Sequence, residues 1–394
     1  MKKLFLLLLI SIIASPLFTS TVQAASDTGP PSLTSKAAVM MDADTGDILF
    51  AKHANDAMYP ASLTKIATAI YAIENGDLDS IAMVSEKARN IDGTRVYLEK
   101  GEKVTLKKLI QGLLINSGND AGVAIAEHLS GSVDKFASDL NAYLKKKVGV
   151  QDTHFENPHG LFDPDHVTTA SDLAKITQYA IRNDVFRNIF GTVELEWNGA
   201  SWDTTLLTHH KMMRQMPYEG VTGGKTGFVD QSGFTLATTA ERDDLSLIAI
   251  TLDSNFQSKA YDDTKKLLDY GFSTFTHSAI AKGTSFKIDN RTYQASEKLT
   301  FTHERNEQLT KRAEADGKLK VTDSHGETIA SFQLKEAKKK NSKAMSPGTK
   351  ENAILGANFS GFLIPAAGLV VMIIVLHSYR RKKRKDSAKK WILM

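Results

Sequence analysis

With 394 residues, 42% of them hydrophobic and 24% charged, the chain has an ordinary globular composition and room for two domains. Its formal net charge is only +4, much of it in one C-terminal run, so nothing marks it for nucleic acid. It has no cysteine, which excludes thiol nucleophiles, disulfides and thiolate metal sites.

Lys2 and Lys3 precede an apolar run, Leu4 to Ile13, and Val22-Gln23-Ala24 offers the small residues a signal peptidase accepts, so residues 1–24 read as a removed secretory signal. Ala37 to Asp42 and Ile48 to Lys52 face each other across Asp44-Thr45-Gly46-Asp47, a hairpin with glycine at its turn. A helix then begins near Pro60, since proline is tolerated in a first turn, and runs to Ile73 with an apolar residue on nearly every face. Such a helix is buried.

Its exceptions are Ser62 and Lys65, three residues apart and therefore stacked on one face. A serine hydroxyl attacks at neutral pH only if an adjacent base takes its proton, and lysine serves only when burial or a second cation strips its charge. The spacing therefore suits a serine nucleophile with a lysine base. A core helix with two incidental polar residues remains the alternative.

Residues 80–104 read as loops and short elements. Leu106 to Ile115 is helical, Asn116-Ser117-Gly118-Asn119-Asp120 interrupts it, and Gly122 to Leu129 resumes the pattern. Ser132 to Val148 is amphipathic, residues 151–168 form a loop, and Thr169 starts a helix with Asp172 as a capping-box variant. Gly220 to Gly227 enters a strand, Phe234 to Ala240 and Leu245 to Leu252 form a second hairpin, and Lys259 to Tyr270 closes as a helix. Two hairpins enclosing a helical middle predict an α+β fold: an antiparallel sheet assembled from both ends of a domain over residues 25–275, with the helices clustered beside it.

From Thr276 the texture changes to short strands at 286–288, 291–294, 299–302, 319–322 and 328–334, which predict a small all-β second domain over 276–337. Residues 338–358 read as a linker. Phe359 to Tyr379 is long and apolar enough for a transmembrane helix, and the basic run Arg380 to Lys385 opens a tail, 380–394, that stays cytoplasmic. The expected location is extracytoplasmic, anchored to the cell membrane by that span.

Three motifs are spaced along the first domain: Ser62-x-x-Lys65, Ser117-Gly118-Asn119 and Lys225-Thr226-Gly227. Together they resemble the signature of penicillin-recognising serine enzymes. Residues 36–272, with Asn157-Pro158-His159-Gly160-Leu161, are similar to the low-molecular-mass penicillin-binding proteins, specifically the D-alanyl-D-alanine carboxypeptidases. The resemblance implies a β-lactamase/transpeptidase-like fold and no cofactor or metal. It implies peptidoglycan stem peptides as substrate and β-lactams as covalent inhibitors.

It also implies roles. Ser62 attacks the penultimate D-alanine carbonyl while Lys65 takes its proton, and Ser117 bridges Lys65, Lys225 and the leaving amine. Asn119 holds the substrate amide and fixes Lys65. Lys225 and Thr226 bind the terminal carboxylate, and Gly227 lets the strand edge come close. The backbone N–H groups of Ser62 and Phe228 form the oxyanion hole.

Other readings share parts of this pattern. A class A β-lactamase needs a Glu-x-x-x-Asn loop between Asn119 and Lys225, and none is expected there. A zinc peptidase would draw on His159, Asp163, Asp165 and His166, whose spacing fits no helix-based site. A nucleotide-binding P-loop is excluded because Glu219 stands where its first glycine belongs. A D,D-endopeptidase and a catalytically weak wall-binding protein share the motifs.

Overall fold

The structure is a computed structural model and describes residues 29–337 apart from Asn290. The expected signal at 1–24, linker at 338–358, span at 359–379 and basic tail lie outside the described residues. Among the described residues, no helix is long and apolar enough to cross a membrane.

β1 (Ala37–Asp42) and β2 (Ile48–Lys52) form the expected hairpin, with Gly46 at φ 81° in its turn. Asp42 organises the turn, its carboxylate accepting the N–H groups of Asp44 and Thr45. The middle of the chain follows as α1 (Thr64–Asn75), β3 (Ile81–Met83), α2 (Glu86–Asn90), β4 (Lys103–Thr105), α3 (Leu106–Ile115), α4 (Asn119–Ser130) and α5 (Val133–Tyr143), which widens into a π turn over Leu144–Val148. Next come α6 (Ala170–Ile181), α7 (Asp184–Phe190), the hairpin β5 (Glu194–Asn198) and β6 (Asp203–Leu207), and α8 (Lys211–Arg214). β7 (Val221–Val229), β8 (Gly233–Arg242), β9 (Leu245–Ser254) and α9 (Gln257–Thr274) complete this part.

The main sheet is antiparallel with strand order β2-β1-β9-β8-β7, so the first and last strands of the region pair at its centre. β1 is buried at all six positions because both of its faces are covered. Ala37, Val39 and Met41 join the core shared with α1, α3 and α4, whereas Ala38 and Met40 join a second core shared with Leu267, Leu268 and Phe272 of α9. The helices are therefore not all beside the sheet as expected: α9 covers its other face.

Local capping explains several boundaries. Thr105, Ser132 and Thr169 each accept an N–H from the first turn of α3, α5 and α6. The capping box expected at Thr169 is only half made. The Asp172 side chain turns away and accepts the N–H groups of Gln151 and Asp152, which ties down the start of the 151–168 loop.

After α9 come β10 (Phe275–Ile280), β11 (Ser285–Ile288), β12 (Arg291–Gln294), β13 (Leu299–Glu304), β14 (Thr310–Ala313), β15 (Lys318–Thr322), β16 (Thr328–Gln333) and β17 (Lys335–Glu336). They bury their own cluster around Phe301, Tyr293, Leu319 and Val321. β10, β14 and β17 fall outside the strands read from the sequence.

One buried ion pair joins these strands to the main sheet. His277 Nε2 lies 2.5 Å from Asp42 Oδ2, which also accepts the Thr302 hydroxyl at 2.8 Å. Burial alone would raise the Asp42 carboxyl, but His277, the Thr45 N–H and Thr302 together hold it below its ordinary value. The Asp42 carboxylate raises His277 in turn. A raised histidine stabilises the fold fully below its unfolded pKa and loses that contribution as pH climbs through the folded one. The native chain is thus expected to lose stability as pH rises above about 6.5. His277→Asn removes that slope at a cost of about 1–3 kcal/mol at low pH, since Asp42 keeps its other partners. Urea unfolding at pH 6 and pH 8.5 measures both effects.

Candidate active site

The expected helix at Pro60 divides on folding. Ala61–Leu63 is a single 3-10 turn carrying Ser62, and the α-helix proper starts at Thr64. Ala61 takes a left-handed backbone, φ 47°, immediately before the serine. Pro60 O is fixed by the Thr235 hydroxyl from β8 at 3.0 Å. The turn is thereby clamped between the sheet and the helices.

Lys65 is fully buried one turn on, and its Nζ lies 2.8 Å from Ser62 Oγ, 2.8 Å from Asn119 Oδ1 and 2.6 Å from the His159 carbonyl. A neutral amine has two N–H donors and one lone pair. The two carbonyls accept those N–H groups, and the Ser62 hydroxyl, which can donate as well as accept, meets the lone pair once the amine is neutral. Burial pushes Lys65 well below the usual lysine range and the Lys225 charge adds to it, with Asp120 opposing. This is the electrostatic setting of a base rather than a cation.

Ser117 sits between α3 and α4 with φ 61°, a strained value for a residue with a side chain. Its hydroxyl accepts a hydrogen bond from Lys225 Nζ at 2.9 Å. The expected bridge to both lysines is not made, since the three contacts of Lys65 go to Ser62, Asn119 and His159. Lys225, also buried, donates to Thr226 O and is lowered by burial to about 7.

Asn119 is buried with both ends of its amide engaged, Oδ1 by Lys65 and Nδ2 by the Asp92 carbonyl at 2.7 Å. It stands behind Lys65. A cavity of about 240 Å³ in front is lined by Ser62, Ser117, Thr226, Gly227, Phe228 and their neighbours, with Asn119 not among them. A Cβ on Gly227 would lie 2.8 Å from Ser62 N and 2.4 Å from the Thr235 hydroxyl oxygen. The close approach that requires glycine is thus between β7 and the nucleophile turn.

Three groups near the site escaped the sequence reading. His209 lines the cavity, held to about 4 by its partly enclosed setting and by Lys225 and Lys65. His210 is buried under the strand at Gly224, its Nε2 2.8 Å from the Thr238 hydroxyl, and burial lowers it to about 3. Asp120 accepts the N–H groups of Val96 and Leu98, fixing the 92–98 loop to the Ser117 turn. A His-His pair beside a short helix was the only signal for the first two.

The residues of the zinc alternative do not converge. His166 is engaged at both ring nitrogens, by Thr64 and by the Glu156 N–H, and His159 Nδ1 accepts the Leu161 N–H. The Glu-x-x-x-Asn spacing does occur, at Glu194 and Asn198, contrary to the expectation above. Both residues stand in strand β5, however, and neither lines the Ser62 cavity.

The family model described as D-alanyl-D-alanine carboxypeptidase, Peptidase S11, matches residues 23–255, more than half of the chain. The chain belongs to this family. Among its curated relatives, D-alanyl-D-alanine carboxypeptidase DacF of Bacillus subtilis is 32% identical over 250 residues, covering 61% of this chain and 63% of its own length. DacA of Haemophilus influenzae is 33% identical over 267 residues, covering 62% and 64%. The chain thus spans just under two thirds of the length of these relatives. Among solved structures, penicillin-binding protein 5 from Haemophilus influenzae superposes with a TM-score of 0.70 at 27% identity, covering 78% of this chain and 98% of that one. Penicillin-binding protein 6B from Escherichia coli gives 0.67 at 27% identity, covering 78% and 96%. The S11 family membership and the antiparallel α+β fold agree with the resemblance read from the three motifs.

Proposed function

We propose that this S11 chain is a serine D,D-carboxypeptidase that removes the terminal D-alanine from peptidoglycan stem pentapeptides and is acylated by β-lactams at the same serine. The observation that carries the reading is the buried Lys65 amine, lowered far below its ordinary pKa and 2.8 Å from Ser62 Oγ. Ser62 Oγ bonds to the penultimate D-alanine carbonyl carbon as its proton passes to Lys65. The C–N bond then breaks as Ser117, hydrogen-bonded to Lys225, gives its proton to the leaving amine and takes up the one held by Lys65, which becomes neutral again. Water then attacks the acyl carbonyl carbon as its proton passes to Lys65, and that proton returns to Ser62 Oγ as the ester C–O bond breaks.

The N–H groups of Ser62 and Phe228 stabilise the oxyanion, while Thr226 and the Lys225 charge receive the terminal carboxylate. Asn119 acts by fixing Lys65. The chain is exported by residues 1–24 and held at the membrane by 359–379, with residues 25–275 as catalytic domain and 276–337 as a β-domain outside it.

Purified full-length chain in detergent is expected to release D-alanine from a stem pentapeptide and to carry a penicillin adduct on Ser62 by mass spectrometry. Ser62→Ala should abolish both with its circular dichroism spectrum unchanged. Cleavage of cross-linked dimers without release of D-alanine from pentapeptide would assign it as an endopeptidase instead.

A further inference from the structure

The 92–98 loop joins two hollows. Thr94 lines the Ser62 cavity, and the next residue, Arg95, lines a second cleft of about 550 Å³ with Arg89, Tyr97, Glu99, Ser201 and Trp202. Consecutive Cα atoms are about 3.8 Å apart, so the two hollows share the 94–95 backbone as a wall. The loop is rigidly placed: Asn119 N–H bonds Thr94 O at 2.7 Å, Asn116 Nδ2 bonds Arg95 O at 2.9 Å, and Asp120 holds the N–H groups on either side of Tyr97.

Within the cleft the charges are not balanced. Arg89 is spent on Glu99 at 2.7 Å. Arg95 has no carboxylate within ion-pair distance among the described residues. Its guanidinium lies 5.4 Å from the Tyr97 ring centroid and makes one long bond, 3.3 Å, to Arg89 O. Tyr97 is half exposed and takes a left-handed backbone, φ 56°, a conformation costly for an aromatic residue. Its ring packs against Trp202, edge to face at 4.9 Å, and Ser201 Oγ pins the Tyr97 carbonyl at 2.9 Å. The result is an aromatic ledge with a free guanidinium at its inner end.

We infer that Arg95 determines specificity by reading a carboxylate on the donor peptide two residues before the penultimate D-alanine, with the Tyr97–Trp202 ledge supporting the intervening chain. The inference rests on the carboxypeptidase reading above. Two extended residues span about 7 Å, far enough for the residue two positions upstream to leave the Ser62 cavity on the side walled by the 94–95 segment. A planar guanidinium recognises a carboxylate by two parallel hydrogen bonds, and an amide at the same place supplies neither the charge nor the second acceptor.

The test uses full-length chain in detergent with two peptides, N-acetyl-glutamyl-(acetyl)lysyl-D-alanyl-D-alanine and its glutaminyl counterpart. The expected result is a kcat/KM about tenfold higher for the glutamyl peptide, expressed in KM, and shrinking as salt is raised. Arg95→Gln should bring the glutamyl peptide down to the glutaminyl level with kcat unchanged for both. Arg95→Lys should restore part of the preference, since it keeps the charge without the fork. Equal cleavage by the native chain overturns the inference, as does a preference that survives Arg95→Gln. An equal loss on both peptides in Arg95→Gln also overturns it, because the residue then only shapes the loop. Release of D-alanine from neither peptide by the native chain sinks the parent reading and this one with it.

Discussion

Lys65→Met is expected to slow acylation by a fluorescent penicillin by about 10⁴-fold, the upper end of what a positioned general base supplies. Methionine fills nearly the same volume and removes the amine that, alone among the described residues, hydrogen-bonds Ser62 Oγ. The companion Lys65→Arg decides what kind of help the native residue gives. Arginine keeps the positive charge but cannot give up its proton in a protein. A base reading therefore requires Lys65→Arg to be as inactive as Lys65→Met, whereas recovery of even a hundredth of the native rate would show that Ser62 needs a cation beside it.

The second lysine adds a pH signature. Lys225 is lowered to about 7, so in the free enzyme its charge is lost as pH rises through that value, and kcat/KM should fall along an alkaline limb near there. A bound substrate carboxylate favours the charged form, so the same limb in kcat should lie at higher pH.

What the sequence made legible follows from how local each signal is. The β1–β2 hairpin and the α3 helix announce themselves through turn chemistry and 3.6-residue spacing, and Ser62 and Lys65 through their stacking one turn apart. The meeting of those two with Ser117, Asn119 and Lys225 came from a pattern of motifs, since 54 residues separate Lys65 from Asn119 and 108 separate Ser117 from Lys225.

The elements between Asp184 and Arg214 were passed over, because short helices and a two-stranded hairpin carry too few periods to stand out from loop. Asp120 and Asn119 illustrate a different gap. Their residue types were plain, but the backbone groups they hold, at Val96, Leu98 and Asp92, are distant in sequence and exist as partners only after folding. The same applies to Asp172, whose capping role gave way to the 151–152 loop because two N–H donors there outcompete one at the helix start.

Gly160→Ala should cost as much activity as many substitutions inside the cavity, although residue 160 does not line it. Gly160 has φ 85°, and a Cβ built there would lie 1.8 Å from the Ala61 carbonyl oxygen, one residue before the nucleophile. Relief requires a displacement of roughly 1 Å by either the 157–161 loop or the Ser62 turn, and misplacement on that scale costs about 10²-fold in rate. Both segments are committed. The loop delivers the His159 carbonyl to Lys65 at 2.6 Å and is pinned by Asn157 Oδ1 to the Gly160 N–H at 2.7 Å, while the turn is held through Pro60 O by Thr235.

Gly149→Ala separates backbone strain from this overlap. Gly149 has nearly the same φ, 80°, but no atom of the described residues beyond its chain neighbours lies within 4 Å of a Cβ built there. Both variants should lose about 1–2 kcal/mol of stability from the left-handed backbone. Only Gly160→Ala should also lose acylation rate, by about two orders of magnitude in stopped-flow labelling with penicillin. If the two variants acylate alike, the contact between loop 157–161 and the nucleophile turn is not what holds Ser62 against Lys65.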